Sequence, residues 1–223
     1  MIDIILPSFN QQEYLPDAIE SALAQSASSV IVVDDGSTDN SLKIAEGYQS
    51  QGVRVISQTN KGLASARNTG IMNSKAQYCL FLDADDILLD GCTDKIIEVA
   101  ANTQADIIAP SFKEFGLSQA DVILMPNPKL EDFRNGNKVG YCQTIRRTAL
   151  QHIGGYSPRM AEGYEDLHLT INLLSKGYSL VTISDILWLY RIKEESMYTN
   201  SIRYHKKLLA QINKDFPSAN IDF

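Results

Sequence analysis

Residues 30–40 read Val30-Ile31-Val32-Val33-Asp34-Asp35-Gly36-Ser37-Thr38-Asp39-Asn40: four β-branched residues in a row, then an abrupt acidic turn. An apolar run without alternation suits a strand buried on both faces, the condition of a parallel sheet covered by helices. The Asp-Asp-Gly-Ser that ends it is turn chemistry, and Ser37 or Thr38 can cap a helix over 41–48. Upstream, the apolar run 2–6 is stopped by Pro7, and a helical pattern follows with Leu15, Ile19, Ala22 and Leu23 on one face.

Downstream the alternation continues, with strands expected over 53–57, 78–82 and 105–109 and helices over 62–73 and 91–101. Strands alternating with helices imply βαβ units, and so a Rossmann-like α/β fold whose mainly parallel sheet is flanked by helices on both faces. From 110 to 138 the pattern weakens, with three prolines, and reads as part hairpin and part loop. Periodicity returns as helices over 144–152 and 165–176, the second unusually apolar and stopped by Gly177. Strands over 179–183 and 186–190 and a helix over 201–213 complete the chain. No repeat or linker interrupts it, so 1–223 is read as a single domain.

The bulk properties narrow the classes. At 44% hydrophobic and 21% charged, the 223 residues have the balance of a folded globular chain, not a disordered one. A net charge of −7 argues against broad nucleic-acid binding. A local basic patch stays open, because Arg134, Lys138, Arg146, Arg147 and Arg159 fall in one acid-poor region. Cys79, Cys92 and Cys142 are odd in number and widely spaced, which suggests neither a disulfide framework nor a zinc site and fits a reducing cytoplasm. The opening MIDIILPSFN lacks a basic leader region and reads as a strand, not a signal peptide. No run approaches the roughly 18 apolar residues of a membrane span, so membrane work would be peripheral, at the inner face.

The unusual residues cluster by position. In open parallel sheets, ligands bind beyond the carboxyl ends of the strands. There stand Pro7-Ser8-Phe9-Asn10, Asp34-Asp35-Gly36-Ser37, Asn60-Lys61-Gly62 with Ala66-Arg67-Asn68, and Asp83-Ala84-Asp85-Asp86. A D-x-D pattern alone is weak, since 17 Asp in 223 residues give roughly one match by chance. Four such loops on one edge are not weak. Crowded aspartates suit a hard divalent ion holding a diphosphate, or a helix cap. Carboxylates after the second strand can accept from a base or a sugar hydroxyl, Lys61 or Arg67 can face phosphate, and Phe9 can lie against a planar base.

Five runs in order, PSFNQQEYLPDAIESALAQS, VIVVDDGSTDNS, NKGLASARNTGI, FLDADD and GYEDLHLTINLLSKGY, resemble the family 2 glycosyltransferases of the GT-A fold. The likeness runs closely through 1–110 and resumes over about 140–195. It implies a nucleotide-sugar-binding half over 1–110 and an acceptor-binding half over 111–223. It further implies inverting transfer of a hexosyl or N-acetylhexosaminyl group from a nucleotide-sugar, usually UDP-linked, to a carbohydrate or lipid-linked carbohydrate acceptor in cell-surface polysaccharide synthesis.

Carried over by residue, the resemblance puts Pro7 and Phe9 near the base, where relatives more often have Tyr in place of Phe9. Asp35 is implied at the uracil N–H with Asp34 beside it, and Arg67 near base or phosphate. In the D-x-D segment, Asp83, Ala84 and Asp85 are implied at the donor, with Asp83 toward the ribose and Asp85 on Mn²⁺ or Mg²⁺; Asp86 is a neighbour able to share that role. Asp166 matches the catalytic base. The plain alternative for Asp166 is a helix N-terminal acid favoured by the dipole, and Glu162 and Glu165 are rival bases. One departure stands out: many relatives carry His after the late Tyr-Arg, where this chain has Lys193. His152, His168 and His205 read as ordinary surface or helix residues, and Trp188 and the tyrosines of 190–204 as core. A signalling receiver domain lacks its acidic pair and lysine here, and a nucleotidyltransferase lacks its Gly-rich loop. A degenerate nucleotide-sugar-binding protein is the remaining alternative.

Overall fold

In the computed structural model, which describes residues 1–27, 29–194 and 202–223, the 30–33 run lies inside the parallel half of one sheet. Strands β1 (Ile2–Ser8), β2 (Ser29–Asp34), β3 (Arg54–Ser57) and β4 (Tyr78–Phe81) stand in the order β3-β2-β1-β4, all parallel. Helices α1 (Leu15–Leu23), α2 (Ser41–Gly47), α3 (Leu63–Asn73) and α4 (Cys92–Thr103) connect or flank them. Strand alternation sends Val30 and Val32 to the face shared with Ile19 and Ala22 of α1, and Ile31 and Val33 to the face of Ala66 in α3. Gly70 lets α3 lie against β1, because a Cβ there would come within 2.3 Å of Ile5 Cγ2.

The other half is mixed. After the two-residue β5 (Ile87–Leu88) come β6 (Ile107–Gly116), β7 (Asp121–Val122), β8 (Thr144–Arg146) and β9 (Leu180–Ile192). The sheet continues β4-β8-β6-β9-β5, with β8 antiparallel to both neighbours and β7 paired to β6. A single sheet therefore runs through both halves of the chain, and Pro110 sits inside β6. Helices α5 (Arg147–Ile153), α6 (Glu165–Ser175) and α7 (His205–Asp215) pack on this side. The apolar α6 buries Leu167, Leu169, Ile171 and Leu173 in the core, and Gly177 follows it at φ +83°.

Several expectations need correction. Strand β1 runs through Pro7 to Ser8, paired with Val33 and Asp34. Pro7 is tolerated because its side of the ladder faces β4, whose pairing with β1 ends at Ile5. Neither Ser37 nor Thr38 caps α2; Ser37 Oγ accepts from the Asn10 backbone N–H (3.0 Å) and the Thr38 N–H donates to Asn10 Oδ1 (2.8 Å), tying two cleft loops together. The expected helix over 144–152 begins as β8, since the gap between β4 and β6 overrides helical propensity. The two late strands are one, β9, with a bulge opposite Pro110 and Ser111 that leaves Ser184 and Asp185 unpaired in the ladder. The start read for the last helix, residue 201, lies outside the described residues. Of the five cations considered for a basic patch, three are engaged: Arg146 pairs with Asp106, Arg147 donates to the Ala76 carbonyl, and Arg159 pairs with Asp215. Cys79, Cys92 and Cys142 are free and buried. Among the described residues no helix is long and apolar enough to cross a membrane.

His168 is a helix residue of α6 but not a surface one: it is buried under α7, with Nε2 3.1 Å from Asp215 Oδ2 and its ring against Phe216. Burial holds its pKa below the ordinary 6.5, although Asp215 opposes this. The Asp215 carboxylate is itself lowered by Gln211, His168 and Arg159 despite some burial. For both groups the unfolded chain binds more protons, so stability falls as pH drops, first below about 6.5 as His168 must charge. Thermal unfolding between pH 8 and 5 should show this decline, and His168→Gln should flatten it above pH 5. An equally steep decline in that variant would remove His168 as the cause.

Candidate active site

The carboxyl ends of β1, β2 and β4, the N-terminus of α3, the start of α6 and the end of β9 enclose one open cleft of about 850 Å³. Pro7, Phe9, Asp35, Arg67, Asp83, Ala84, Asp85 and Asp166 all line it. The Phe9 ring stands 44% exposed at its edge. Asp34 does not line it: its side chain goes to the opposite side from Asp35 and is buried, with Oδ2 accepting weakly from the Ser37 N–H. Lys61 likewise stays outside the lining and contributes a backbone N–H instead.

That N–H goes to Asp35. One oxygen of Asp35 accepts from the Lys61 N–H (2.9 Å) and Gln58 Nε2 (2.6 Å), and the other from the Gly62 N–H (2.7 Å). A buried carboxylate thus fixes the 58–62 loop and the start of α3, with one lone pair left, on Oδ2. Sequence reading placed this acid at a base; it did not show that the acid also builds the loop beside it.

Arg67 differs more from expectation. Its side chain is 1% exposed, and its guanidinium bridges Asp83 (Nη2 to Oδ1, 2.7 Å) and Glu165 (Nη1 to Oε1, 2.7 Å) between the rings of Tyr141 and Tyr156. It lines the cleft as a strut between β4 and α6, with both terminal nitrogens engaged by carboxylates. Burial raises Asp83 to about 6 in spite of Arg67, and Asp85 adds to the rise.

Asp86 cannot share a donor role, because it is buried and both oxygens are taken. Oδ2 accepts from the Tyr141 hydroxyl and Oδ1 from the Arg191 N–H. Burial beside Asp85 and Asp83 pushes its carboxyl well up. The Tyr141 hydroxyl in turn accepts from the Asp83 N–H (3.0 Å), so one half-buried phenol ties Asp83 to Asp86 across the Asp-x-Asp turn. Tyr141 had no signal in the sequence, since nothing local marks it. Trp188 is core as expected, tilted against Phe112 and edge-on to Tyr141, whereas Tyr190 reaches the cleft.

Asp85 faces the cleft in contact with a cation. Lys193 Nζ is 2.5 Å from its Oδ2, and Arg191 Nε donates to its backbone carbonyl (2.8 Å). The divalent ion expected at Asp85 does not fit these residues as they stand. Asp85 Oδ2 is in an ion pair with an ammonium, Asp83 is bound to Arg67, and among the described residues no three His, Cys, Asp or Glu side chains form a ligand set.

Of the three candidate bases, Glu162 pairs outside the cleft with Lys207 and Glu165 is held by Arg67. Asp166 keeps its carboxylate toward the cleft, touched by Asn137 Nδ2 at a long 3.3 Å. Tyr164 at φ +59° turns the chain so that Glu165 goes inward and Asp166 presents to the opening. Burial raises the Asp166 carboxyl above its ordinary value although Arg67 pulls it down.

The arrangement has known counterparts. A family model described as glycosyl transferase family 2 matches residues 3–161. The glycosyltransferase GlyG of Streptococcus pneumoniae is 26% identical over 221 residues, covering 88% of this chain and 72% of that protein. The uncharacterized glycosyltransferase EpsJ of Bacillus subtilis is 38% identical over 116 residues, half of this chain and 34% of EpsJ; the chain thus spans about a third of that relative's length. Among solved structures, TarS of S. aureus in complex with UDP-GlcNAc superposes with a TM-score of 0.83 at 18% identity, over 99% of this chain and 68% of that one. The fold is GT-A.

Proposed function

The chain belongs to glycosyl transferase family 2, and we propose that it transfers a sugar from a UDP-linked donor to a hydroxyl of a carbohydrate or lipid-linked carbohydrate, with inversion at the anomeric carbon. The observation that carries this reading is the Arg67 strut, which draws the Asp83–Asp85 turn and the Asp166 end of α6 into one cleft. The diphosphate belongs at 83–85 and the base at Phe9 and Asp35. Asp166 takes the acceptor's proton as that oxygen forms a bond to the anomeric carbon, and the bond to the diphosphate breaks on the opposite face. The raised carboxyl of Asp166 suits it to hold that proton. TarS with UDP-GlcNAc on the same fold supports a UDP-sugar, and an N-acetylhexosaminyl group before a hexosyl one. The family resemblance extends the reading to cell-surface polysaccharide assembly, in the cytoplasm at the inner face of the membrane, with residues of 111–223 meeting the acceptor.

The test is thermal unfolding with UDP, GDP and TDP, each with and without Mn²⁺. At about 100 times its dissociation constant the cognate nucleotide adds roughly 2.7 kcal/mol, a rise on the order of 5–10 °C. UDP should give that rise and GDP and TDP should not. A rise with GDP or TDP alone would reassign the base, and none with any would reject the donor cleft.

A further inference from the structure

Lys193 and Asp85 form an ion pair with side chains 22% and 21% exposed, inside the cleft. The Lys193 ammonium also lies 4.9 Å from the centre of the Tyr14 ring, and the Arg191 guanidinium covers Tyr14 and Phe115 at 4.5 and 4.3 Å. Two cations therefore surround one cleft-facing carboxylate, and aromatic faces fix both of them. We propose that Lys193, supported by Arg191, holds the donor's diphosphate in place of a divalent ion, so that the nucleotide binds without metal. This rests on the donor reading above.

The chemistry follows from charge and donor count. Asp85 alone would repel an incoming diphosphate; Lys193 at 2.5 Å neutralises it, and Arg191, whose Nη2 lies 3.9 Å from Asp17, keeps a second cation beside the turn. An ammonium has three N–H donors, so one on Asp85 leaves two for phosphate oxygens. Asp85 then positions the lysine and does not bind metal. A divalent ion placed on Asp85 would stand against this ammonium at close range, where like charges repel strongly at the reduced dielectric of a cleft. An imidazole at 193, neutral at physiological pH, would carry no such penalty and could ligate the ion.

Calorimetric titration of UDP, GDP and TDP into the wild-type chain, Lys193→Met and Lys193→His, each in EDTA and in Mn²⁺, tests this. The wild type should bind one nucleotide with the same affinity, within about twofold, in both buffers; Lys193→Met should weaken it about tenfold or more in EDTA, as loss of a charge-assisted phosphate contact does. Lys193→His should bind only with Mn²⁺. Lys193 is partly exposed, and unfolding of each unliganded variant confirms that it is folded. Wild-type binding that requires Mn²⁺, or Lys193→Met binding in EDTA as tightly as wild type, overturns the proposal while the donor site stands. No binding by any nucleotide in either buffer overturns the donor reading and this inference with it.

Discussion

Asp166→Asn should leave nucleotide affinity within about twofold of wild type and lower sugar transfer by about 10²–10⁴-fold, the range for loss of a general base. The asparagine keeps the shape of the side chain and its place at the start of α6, and the amide cannot take the acceptor's proton. The two readouts separate the roles, because among the described residues the Asp166 carboxylate is contacted by Asn137 and not by the 83–85 turn. The pH dependence carries a second signature. A base must be ionised, and burial raises this carboxyl, so the acid limb of the wild-type rate profile should lie above the ordinary carboxylate range. Wild-type transfer by Asp166→Asn, measured as product formed per nucleotide released, would remove Asp166 from the mechanism. No transfer by the wild type itself, with nucleotide binding intact, would favour the degenerate binding protein.

The second large effect is structural. Arg67→Met should destabilise the chain by about 3–5 kcal/mol, because it strands Asp83 and Glu165 as unpaired carboxylates facing each other across the space the guanidinium filled. For this length that is a fall in melting temperature on the order of 10 °C. Asp83 is a quarter exposed and can recover some hydration, so most of the cost falls on Glu165. Adding Glu165→Gln to Arg67→Met should therefore restore part of the loss, a coupling that a double-mutant cycle measures directly. A melting temperature within 2 °C of wild type in Arg67→Met would mean the bridge is a bystander. If the strut reading holds, Arg67→Met purified below its melting temperature should also lose transfer, since the Asp166 end of α6 is no longer fixed to the turn at 83–85.

What the sequence determined by itself was local and periodic. Unrelieved β-branched runs such as 30–33 mark strands covered on both faces, the 3.6-residue pattern from Leu15 to Leu23 marks a helix, and the acids at the strand ends follow from turn chemistry. Together these specified a parallel α/β sheet and one edge for the cleft, and the order of five short motifs pointed to the family. Tertiary structure decided what each charge does. Asp34 and Asp35 are neighbours in sequence but point to opposite sides of a strand end, so only one faces the cleft. Arg67 is a cation in the right loop, yet its 98-residue separation from Glu165 hid the contact that makes it a strut. Tyr141, in a stretch without periodicity, shapes the aspartate turn from 55 residues away along the chain. Lys193 could be recognised as a departure in sequence, but its partner Asp85 appears only when β9 pairs with β5, which follows just after Asp85. Periodicity reports how a segment meets its own neighbours; the partner of a charge is set by chain closure over long separations, which local patterns do not encode.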